Sequence, residues 1–206
     1  MREYPSIPRS FGTSFREIPG ALVFDKLDGS QCRSEWNRKQ GWYKHGRKAG
    51  LLDDSNPMLA GVPKLFEQTL AEPLERIAMT HRWFSVIVYY EFWGKKSLAG
   101  LHFENDEKFI SLFDVAVDKK GFLNPQEFRK FFEERVPTAS FLGQYNWTRG
   151  FVEQVYRGEM PGITFEGVVG KVGTRHDIVR AKAKTQAWLD AVRKAHGAAA
   201  ESIINS

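Results

Sequence analysis

The predicted strands of this chain outnumber its helices, and they do not alternate with helices in the order that builds a parallel sheet. Each strand is a short apolar run bounded by turn signals. They are expected at residues 21–24, 31–44 (a pair around a Lys-Gln-Gly turn), 83–92, 109–117, 165–172 and 178–183. This arrangement predicts an α+β fold with a mostly antiparallel sheet.

Three helical segments are expected between and after these strands. Residues 63–81 carry an apolar stripe at helical spacing, in which Pro73 predicts a kink or two shorter helices. Asn124 with Glu127 three residues later has the pattern of a capped helix start. The last predicted helix covers residues 185–196.

Composition indicates one globular, intracellular domain. Apolar residues make up 42% of the chain and charged residues 27%, as in ordinary globular proteins. Cys32 is the only cysteine, which excludes an intramolecular disulfide and predicts a reducing, cytoplasmic setting. No apolar run is long enough to span a bilayer, so we expect a soluble protein with no membrane partner. We expect a single domain over residues 1–206, with 197–206 as a frayed tail.

The charge and the aromatic content are compatible with a nucleic-acid partner. The formal net charge is +5, a mild excess that favours a polyanion. Aromatic residues make up 14%, which suits either a β-rich interior or surfaces that stack on bases. The five histidines show no pair at metal-ligand spacing, and we interpret them as structural or surface residues: His45, His81, His102, His176 and His196.

Lys26 stands at the end of an apolar strand, directly before the turn at Asp28-Gly29. A lysine in this position is partly desolvated and held on a rigid element, which lowers its pKa and exposes the neutral amine as a nucleophile. Gly29 lets a backbone pass close to a bound group. Taken alone, Lys-x-Asp-Gly is also a common solvated hairpin turn.

Four further segments follow this one in a fixed order. The five are Lys26-Leu27-Asp28-Gly29, Val88-Tyr89-Tyr90-Glu91-Phe92-Trp93-Gly94, Leu112-Phe113-Asp114-Val115, Phe165-Glu166-Gly167-Val168-Val169 and Ala181-Lys182-Ala183-Lys184. In this order they resemble motifs I, III, IIIa, IV and V of the covalent nucleotidyltransferases, the superfamily of DNA ligases, RNA ligases and RNA capping enzymes. The resemblance covers nearly the whole chain.

The resemblance implies an ATP-grasp-like adenylyltransferase fold, with mostly antiparallel sheets and flanking helices. It also implies that Lys26 attacks the α-phosphorus of ATP, expels pyrophosphate and keeps AMP as a phosphoramidate. Holding the nucleotide covalently splits one difficult condensation into easier transfers.

Roles for the later motifs follow from the same resemblance. Lys182 and Lys184 are expected to reach the nucleotide phosphates, and we expect their strand to end or bend there. Glu166 is the expected ligand of Mg²⁺ or Mn²⁺, directly or through water. Glu91 is expected on the ribose hydroxyls or in the metal shell.

The remaining nucleotide contacts are carried over in the same way. Phe113 is expected to stack on the adenine, and Asp25 to lie near its exocyclic amine through side chain or backbone. Asp28 belongs to the same nucleotide site. Residues 44–50 resemble the arginine segment that follows motif I in RNA ligases, where Arg47 is the match and Lys48 the fallback.

Simpler readings of these residues stay open at this point. The two glutamates could form surface ion pairs at strand ends, since most charged residues are exposed. Phe113 could belong to the core, and the lysine pair could line a solvated strand edge.

The RNA-ligase branch fits better than the others. DNA ligases and capping enzymes usually carry an arginine two residues after the motif I glycine, where this chain has Gln31 and the nearest arginine is Arg33. The chain also ends soon after Lys184, which leaves no room for a C-terminal OB-fold domain and puts nick sealing in doubt. We therefore predict a monomeric ATP-dependent RNA ligase without an OB-fold domain.

In this prediction, Lys26 passes AMP to a 5′-phosphate, which is then joined to a 3′-hydroxyl of an RNA end or a nicked nucleic acid. Three alternatives remain: a minimal DNA ligase, a nucleotidyltransferase with another acceptor, and a non-catalytic nucleic-acid-binding module.

Overall fold

The computed structural model describes residues 1–10, 15–52 and 57–205. The chain divides into two compact units. The first comprises Met1–Tyr4, Gly29–Thr138 and Thr174–His176; the second comprises Pro5–Asp28, Ala139–Gly173 and Asp177–Ser206. Each unit is built around its own sheet, and the expected single domain over residues 1–206 stays a prediction.

The first unit contains a five-stranded sheet in the order β3-β2-β4-β5-β6, with every neighbouring pair antiparallel. Its strands are β2 (Gly29–Asn37), β3 (Gly41–Arg47), β4 (Ser85–Gly94), β5 (Lys108–Val117) and β6 (Gly121–Phe122). The predicted pair around the Lys-Gln-Gly turn and the two predicted buried strands are confirmed, with small shifts at their ends.

A continuous helical segment precedes β4. It consists of α1 (Val62–Phe66), a π-helical turn (Glu67–Ala71) and α2 (Glu72–Thr80). Pro73 lies at the start of α2, where its missing N–H removes one helical hydrogen bond, and the wide turn directly before it absorbs the break. The sequence therefore placed the irregularity correctly.

The helix α3 (Pro125–Phe132) follows β6 and begins as predicted. The Glu127 amide donates to Asn124 Oδ1 at 2.8 Å, and the Asn124 amide donates to Glu127 Oε2 at 3.3 Å. This reciprocal capping box satisfies two amides that the first helical turn leaves without partners in the helix.

The second unit contains a four-stranded antiparallel sheet in the order β7-β1-β8-β9. Its strands are β1 (Ile18–Lys26), β7 (Phe141–Trp147), β8 (Gly167–Val172) and β9 (Val179–Lys184). Sequence reasoning missed β7 because it is an edge strand whose residues are mostly half-exposed, so it lacks a continuous apolar run.

Three helices complete the second unit: α4 (Arg149–Tyr156), α5 (Gln186–His196) and α6 (Ala200–Asn205). The helix α5 was predicted, whereas α4 was not. The expected frayed tail is wrong for its described part, because α6 forms there and Ile204 is fully buried.

One face of the four-stranded sheet supports the core of the second unit. Small and branched side chains of β1, β8 and β9 pack there against Trp147 and the apolar side of α4. The sheet side of this core includes Ile18, Ala21, Val23, Val168, Ala181 and Ala183. Side chains alternate along a strand, so the neighbouring residues lie on the opposite face, which carries the candidate site.

Within the described residues, no helix combines the length and apolar character needed to cross a membrane. The two sheets and their helices account for the regular structure of these residues, and no OB-fold module is present among them.

Candidate active site

Three of the predicted motifs meet in one row of the four-stranded sheet. Lys26, the last residue of β1, pairs with Gly167 on β8, and Gly167 pairs with Lys184, the last residue of β9. Neighbouring strands lie about 4.8 Å apart, so this register brings segments from distant parts of the sequence together.

Glu166 links the two lysines of this row. Its Oε2 accepts a hydrogen bond from Lys26 Nζ at 2.8 Å, and its Oε1 lies 3.0 Å from Lys184 Nζ. The side chains of Glu166 and Lys184 are 5% and 6% exposed, whereas that of Lys26 is 23% exposed. The candidate nucleophile is thus the accessible member of a buried charge cluster. The reading of Glu166 as a surface ion pair is wrong.

Burial and charge act against each other in this cluster. Burial raises the pKa of Glu166, but the charges of Lys26 and Lys184 and their hydrogen bonds outweigh it, so the pKa lies below its ordinary value. Burial lowers the pKa of Lys184; the charges of Lys26 and Arg9 also lower it, and Glu166 opposes the shift. Glu166 is therefore held as a carboxylate.

Lys182 lies on the same face of β9 as Lys184. The strand pairs regularly through both residues and ends at Lys184, so the expected strand end is present. No bend is needed, because residues two apart point to the same side. Lys182 is only 6% exposed, and residues 8–10 bond to its amide and carbonyl. The lysine pair is therefore not a solvated strand edge.

Lys171 is a further cation on this face, and sequence reasoning missed it. It pairs with Leu22 on β1 and Arg180 on β9, and it is 5% exposed. Its Nζ lies 5.3 Å from the centre of the Phe24 ring. Lys171 lies two residues after Val169 on β8, so strand alternation places it on the same face as the residues opposite Lys182 and Arg180.

Asp25 and Asp28 are buried beside Lys26 but bind elsewhere in the second unit. Asp25 accepts hydrogen bonds from the amide of Thr164 at 3.0 Å and from its hydroxyl. Burial raises the pKa of Asp25, although these bonds oppose the shift. Asp28 Oδ2 accepts from Trp188 Nε1 at 2.7 Å. Both carboxylates thus stabilise the backbone around Lys26 in addition to the nucleotide roles predicted for them.

A divalent cation shared with a nucleotide fits the donors of this site. Among the described residues, no three Asp, Glu, His or Cys side chains are grouped to hold a metal ion by themselves. Mg²⁺ usually needs only one or two carboxylates when substrate phosphates complete its shell, and it prefers hard oxygen ligands. The Glu166 carboxylate, next to Lys26, provides such ligands.

The other predicted contacts lie in the first unit. Glu91 is half-buried on β4, where it pairs with Gln31 on one side and Ser111 on the other. Phe113, two residues beyond Ser111, is the extra residue of a β-bulge, a feature that often re-aims a side chain near active sites. It is half-buried, and the ring of Tyr4 meets it edge-on at 5.1 Å. Phe113 is therefore not a fully buried core residue.

Arg47 ends β3 and is exposed, as is Lys48. Arg33, for which the sequence suggested no role, is 3% exposed and donates to the Lys48 carbonyl at 3.2 Å. Its second guanidinium nitrogen lies 3.8 Å from a carboxylate oxygen of Glu3. The structure thus joins Lys26, Glu166 and Lys184 directly, whereas the nucleotide contacts expected from the first unit remain predictions.

Solved structures resemble this fold, although no protein family and no curated relative matches the sequence. Two forms of an archaeal ATP-dependent RNA ligase have TM-scores of 0.67 and 0.66, at 18% and 16% identity, over 99% and 95% of this chain. A mutant RNA ligase of Naegleria gruberi with ATP and Mn has a TM-score of 0.61, at 16% identity, over 84% of this chain.

The chain spans about half the length of these structures, covering 56%, 52% and 52% of them respectively. At such low identity the likeness concerns the fold alone. The chain therefore has the nucleotidyltransferase fold of ATP-dependent RNA ligases.

Proposed function

We propose that this chain is an ATP-dependent RNA ligase, or the nucleotidyltransferase part of one, that forms a covalent adenylate on Lys26. The observation that carries the proposal is the cluster in which Glu166 binds both Lys26 and Lys184 at hydrogen-bonding distance. Three motifs that are far apart in the sequence supply these residues, and each has the side chain that adenylyl transfer requires.

In the first step, Lys26 Nζ attacks the α-phosphorus of ATP. A nitrogen–phosphorus bond forms, the bond to the bridging oxygen breaks, and pyrophosphate leaves. The amine must lose its proton for this attack. Glu166 is a poor proton acceptor because its pKa is depressed, so we expect the proton to leave through the exposed side of Lys26.

Lys184 and Lys182 stabilise the negative charge that develops on the phosphates. Both ammonium groups are buried on one face of β9, where positive charge acts more strongly than in water. Glu166 would hold the divalent cation, which when bound supplies further positive charge to the phosphates and competes with Lys26 for the carboxylate.

Two later transfers complete ligation. The 5′-phosphate of an RNA end displaces Lys26 from the adenylate, which breaks the nitrogen–phosphorus bond and forms a diphosphate bridge to AMP. A 3′-hydroxyl then attacks that 5′-phosphorus and releases AMP. Structures of the Naegleria gruberi ligase contain ATP with Mn, AMP with Mn, or PPi, which supports ATP and a divalent metal for the first step.

The test is incubation with α-labelled ATP and Mg²⁺ or Mn²⁺, followed by a denaturing gel. We expect a covalent label on the wild-type chain and only background label on Lys26→Ala. The matched control is Lys194→Ala, which removes an exposed lysine of α5 and should keep wild-type labelling. A label that survives Lys26→Ala would contradict the mechanism.

The acceptor needs a second experiment with the labelled protein. Single-stranded 5′-phosphorylated RNA, nicked RNA and nicked DNA are supplied in parallel, and transfer of the label is followed. Preference for RNA supports the proposal, and preference for nicked DNA would favour a minimal DNA ligase. Labelling without transfer to any of them would indicate another acceptor. Binding of RNA without labelling would indicate a non-catalytic module.

A further inference from the structure

Trp188 contacts two residues of the candidate site at once. Its indole Nε1 donates to Asp28 Oδ2 at 2.7 Å, and its ring centre lies 4.0 Å from Lys184 Nζ. It is 2% exposed. The sequence suggested only that this tryptophan belongs to the apolar side of the last helix.

The local structure explains how one side chain reaches both residues. Lys184 ends β9, and α5 begins directly after Thr185, whose hydroxyl accepts the Trp188 amide at 3.1 Å as the helix cap. Trp188 therefore lies in the first turn of α5, just beyond the lysine. Thr185 also binds the carbonyls of the two residues that precede β8: its amide donates to Glu166 and its hydroxyl to Phe165.

The two contacts differ in kind. A desolvated ammonium over an indole face is attracted by the ring quadrupole, and tryptophan is the best of the aromatic residues for this. The bond to Asp28 involves a buried carboxylate, and such charge-assisted bonds are strong and directional. Asp28 lies two residues after Lys26, so this bond holds the turn that follows the candidate nucleophile.

The Lys184 ammonium has a second contact besides the indole ring. Glu166 Oε1 lies 3.0 Å from its Nζ and attracts it, whereas Lys26 and Arg9 repel it. The ring of Trp188 therefore adds a contact that is attractive without carrying a net charge.

We propose that Trp188 is a positioning residue that fixes Lys184 for a nucleotide phosphate and, through Asp28, fixes the turn after Lys26. This inference rests on the proposed adenylyl transfer. Trp188 itself touches neither ATP nor the reacting atoms in the proposal; it acts through its two neighbours.

The test separates the two contacts by substitution. Trp188→Phe keeps an aromatic face for Lys184 but loses the N–H bond to Asp28, and Trp188→Leu loses both. Trp147→Phe is the matched control, because Trp147 is also fully buried in the second unit and donates its N–H to Ser10. All variants are assayed for the rate of self-adenylylation, with kcat and KM for ATP determined separately.

We expect Trp188→Leu to raise the KM for ATP about tenfold and to lower kcat about tenfold, since Lys184 and the turn are both released. Trp188→Phe should keep a KM within about threefold of wild type and lose only kcat. Trp147→Phe should change neither by more than about threefold.

Thermal unfolding of each variant is measured alongside, because a buried tryptophan also contributes to packing. If Trp188→Phe and Trp147→Phe lose stability equally and retain equal kcat and KM, Trp188 is only a packing residue and the inference is overturned. If wild type is not labelled by ATP at all, the proposed function fails, and this inference fails with it. A wild type that is labelled, with Trp188→Leu unchanged, overturns the inference alone.

Discussion

Two clusters of buried and half-buried titratable side chains lie near strand ends, one in each unit, and they are built in opposite ways. The lysine–glutamate cluster of the second unit contains Lys26, Glu166 and Lys184 and is held by ion pairs. The histidine–serine cluster of the first unit contains His102, whose ring nitrogens lie 2.9 Å from the Ser30 hydroxyl and 3.3 Å from the Ser97 hydroxyl.

The histidine–serine cluster avoids buried charge. The pKa of His102 is lowered to about 4, chiefly by burial and also by the charge of Lys108, while the charge of Asp106 opposes the shift. At neutral pH the ring is therefore uncharged, and hydroxyl groups satisfy it. This confirms a structural reading for His102.

The lysine–glutamate cluster instead contains buried charge, because two ammonium groups share one carboxylate. The neighbouring Lys182 and Lys171 add buried positive charge on the same face. A bound anionic phosphate would add counter-charge to this face. The contrast teaches that burial of a titratable group does not by itself mark a candidate site; the candidate site differs in having several charged side chains on one face.

The largest effect is expected from Glu166→Gln. Self-adenylylation should fall about a hundredfold or more, because the neutral amide no longer offers anionic ligands to a divalent cation or to Lys26. Stability should fall by about 3–5 kcal/mol, since two buried or partly buried ammonium groups lose their counter-charge. Labelling and urea unfolding measure the two effects.

A double-mutant cycle measures the coupling between Glu166 and Lys184 within the lysine–glutamate cluster. Lys184→Met in the Glu166→Gln background removes one of the stranded charges, so the double variant should be less destabilised than the sum of the single variants by about 1–3 kcal/mol. Additive losses would show that the ion pair does not couple the two residues.

A smaller loss is expected from Gly167→Ala, which disturbs the row that aligns the lysine–glutamate cluster. Gly167 has φ of +148°, and an added Cβ would lie 2.0 Å from the Ala183 carbonyl oxygen. Backbone strain of this kind costs about 1–3 kcal/mol. Unfolding in urea should show this loss, together with reduced labelling.

The control for that variant is Gly150→Ala in α4, where the nearest atom, the Thr148 hydroxyl oxygen, would lie 3.9 Å from the new Cβ. A helical glycine replaced by alanine should raise stability by up to about 1 kcal/mol. If Gly167→Ala and Gly150→Ala changed the free energy of unfolding alike, the close approach of β8 and β9 at Gly167 would be contradicted.

The smallest effect is expected from His102→Asn, and it depends on pH. The pKa of His102 is lower in the folded protein than in the unfolded chain. Its contribution to the free energy of unfolding is therefore fully present above about pH 6.5 and is lost as the pH falls toward about 4. The variant lacks this titration, so its free energy of unfolding should decline less than that of wild type over this window.

Urea unfolding at several pH values measures the difference, with the m-value as a check that both proteins expose similar surface. Self-adenylylation at neutral pH should stay within about threefold of wild type, because the histidine–serine cluster has no part in the proposed chemistry. Parallel pH profiles of stability for wild type and His102→Asn would contradict a neutral, half-buried His102.

Local patterns in the sequence determined much of the fold. The capping box at Asn124, the irregular turn before Pro73 and the apolar runs of β4 and β5 were readable because each depends on neighbouring residues. Weakly apolar elements such as β7 were not readable, because an edge strand needs little burial.

The order of the motifs in the sequence also predicts Lys26 as the nucleophile and Lys184 as a phosphate contact. Only the tertiary structure decided how they meet. The antiparallel register places Lys26, Gly167 and Lys184 in one row, and that register depends on strand pairing between distant segments.

The same holds for the residues that the sequence did not reveal. Lys171 and Trp188 look ordinary in their local context, a polar strand residue and an apolar helix residue. Strand pairing buries the first on the cationic face, and the turn into α5 brings the second against Lys184 and Asp28. Sequence determined which side chains were available; packing between distant segments decided which of them share a charge, a hydrogen bond or a ring face.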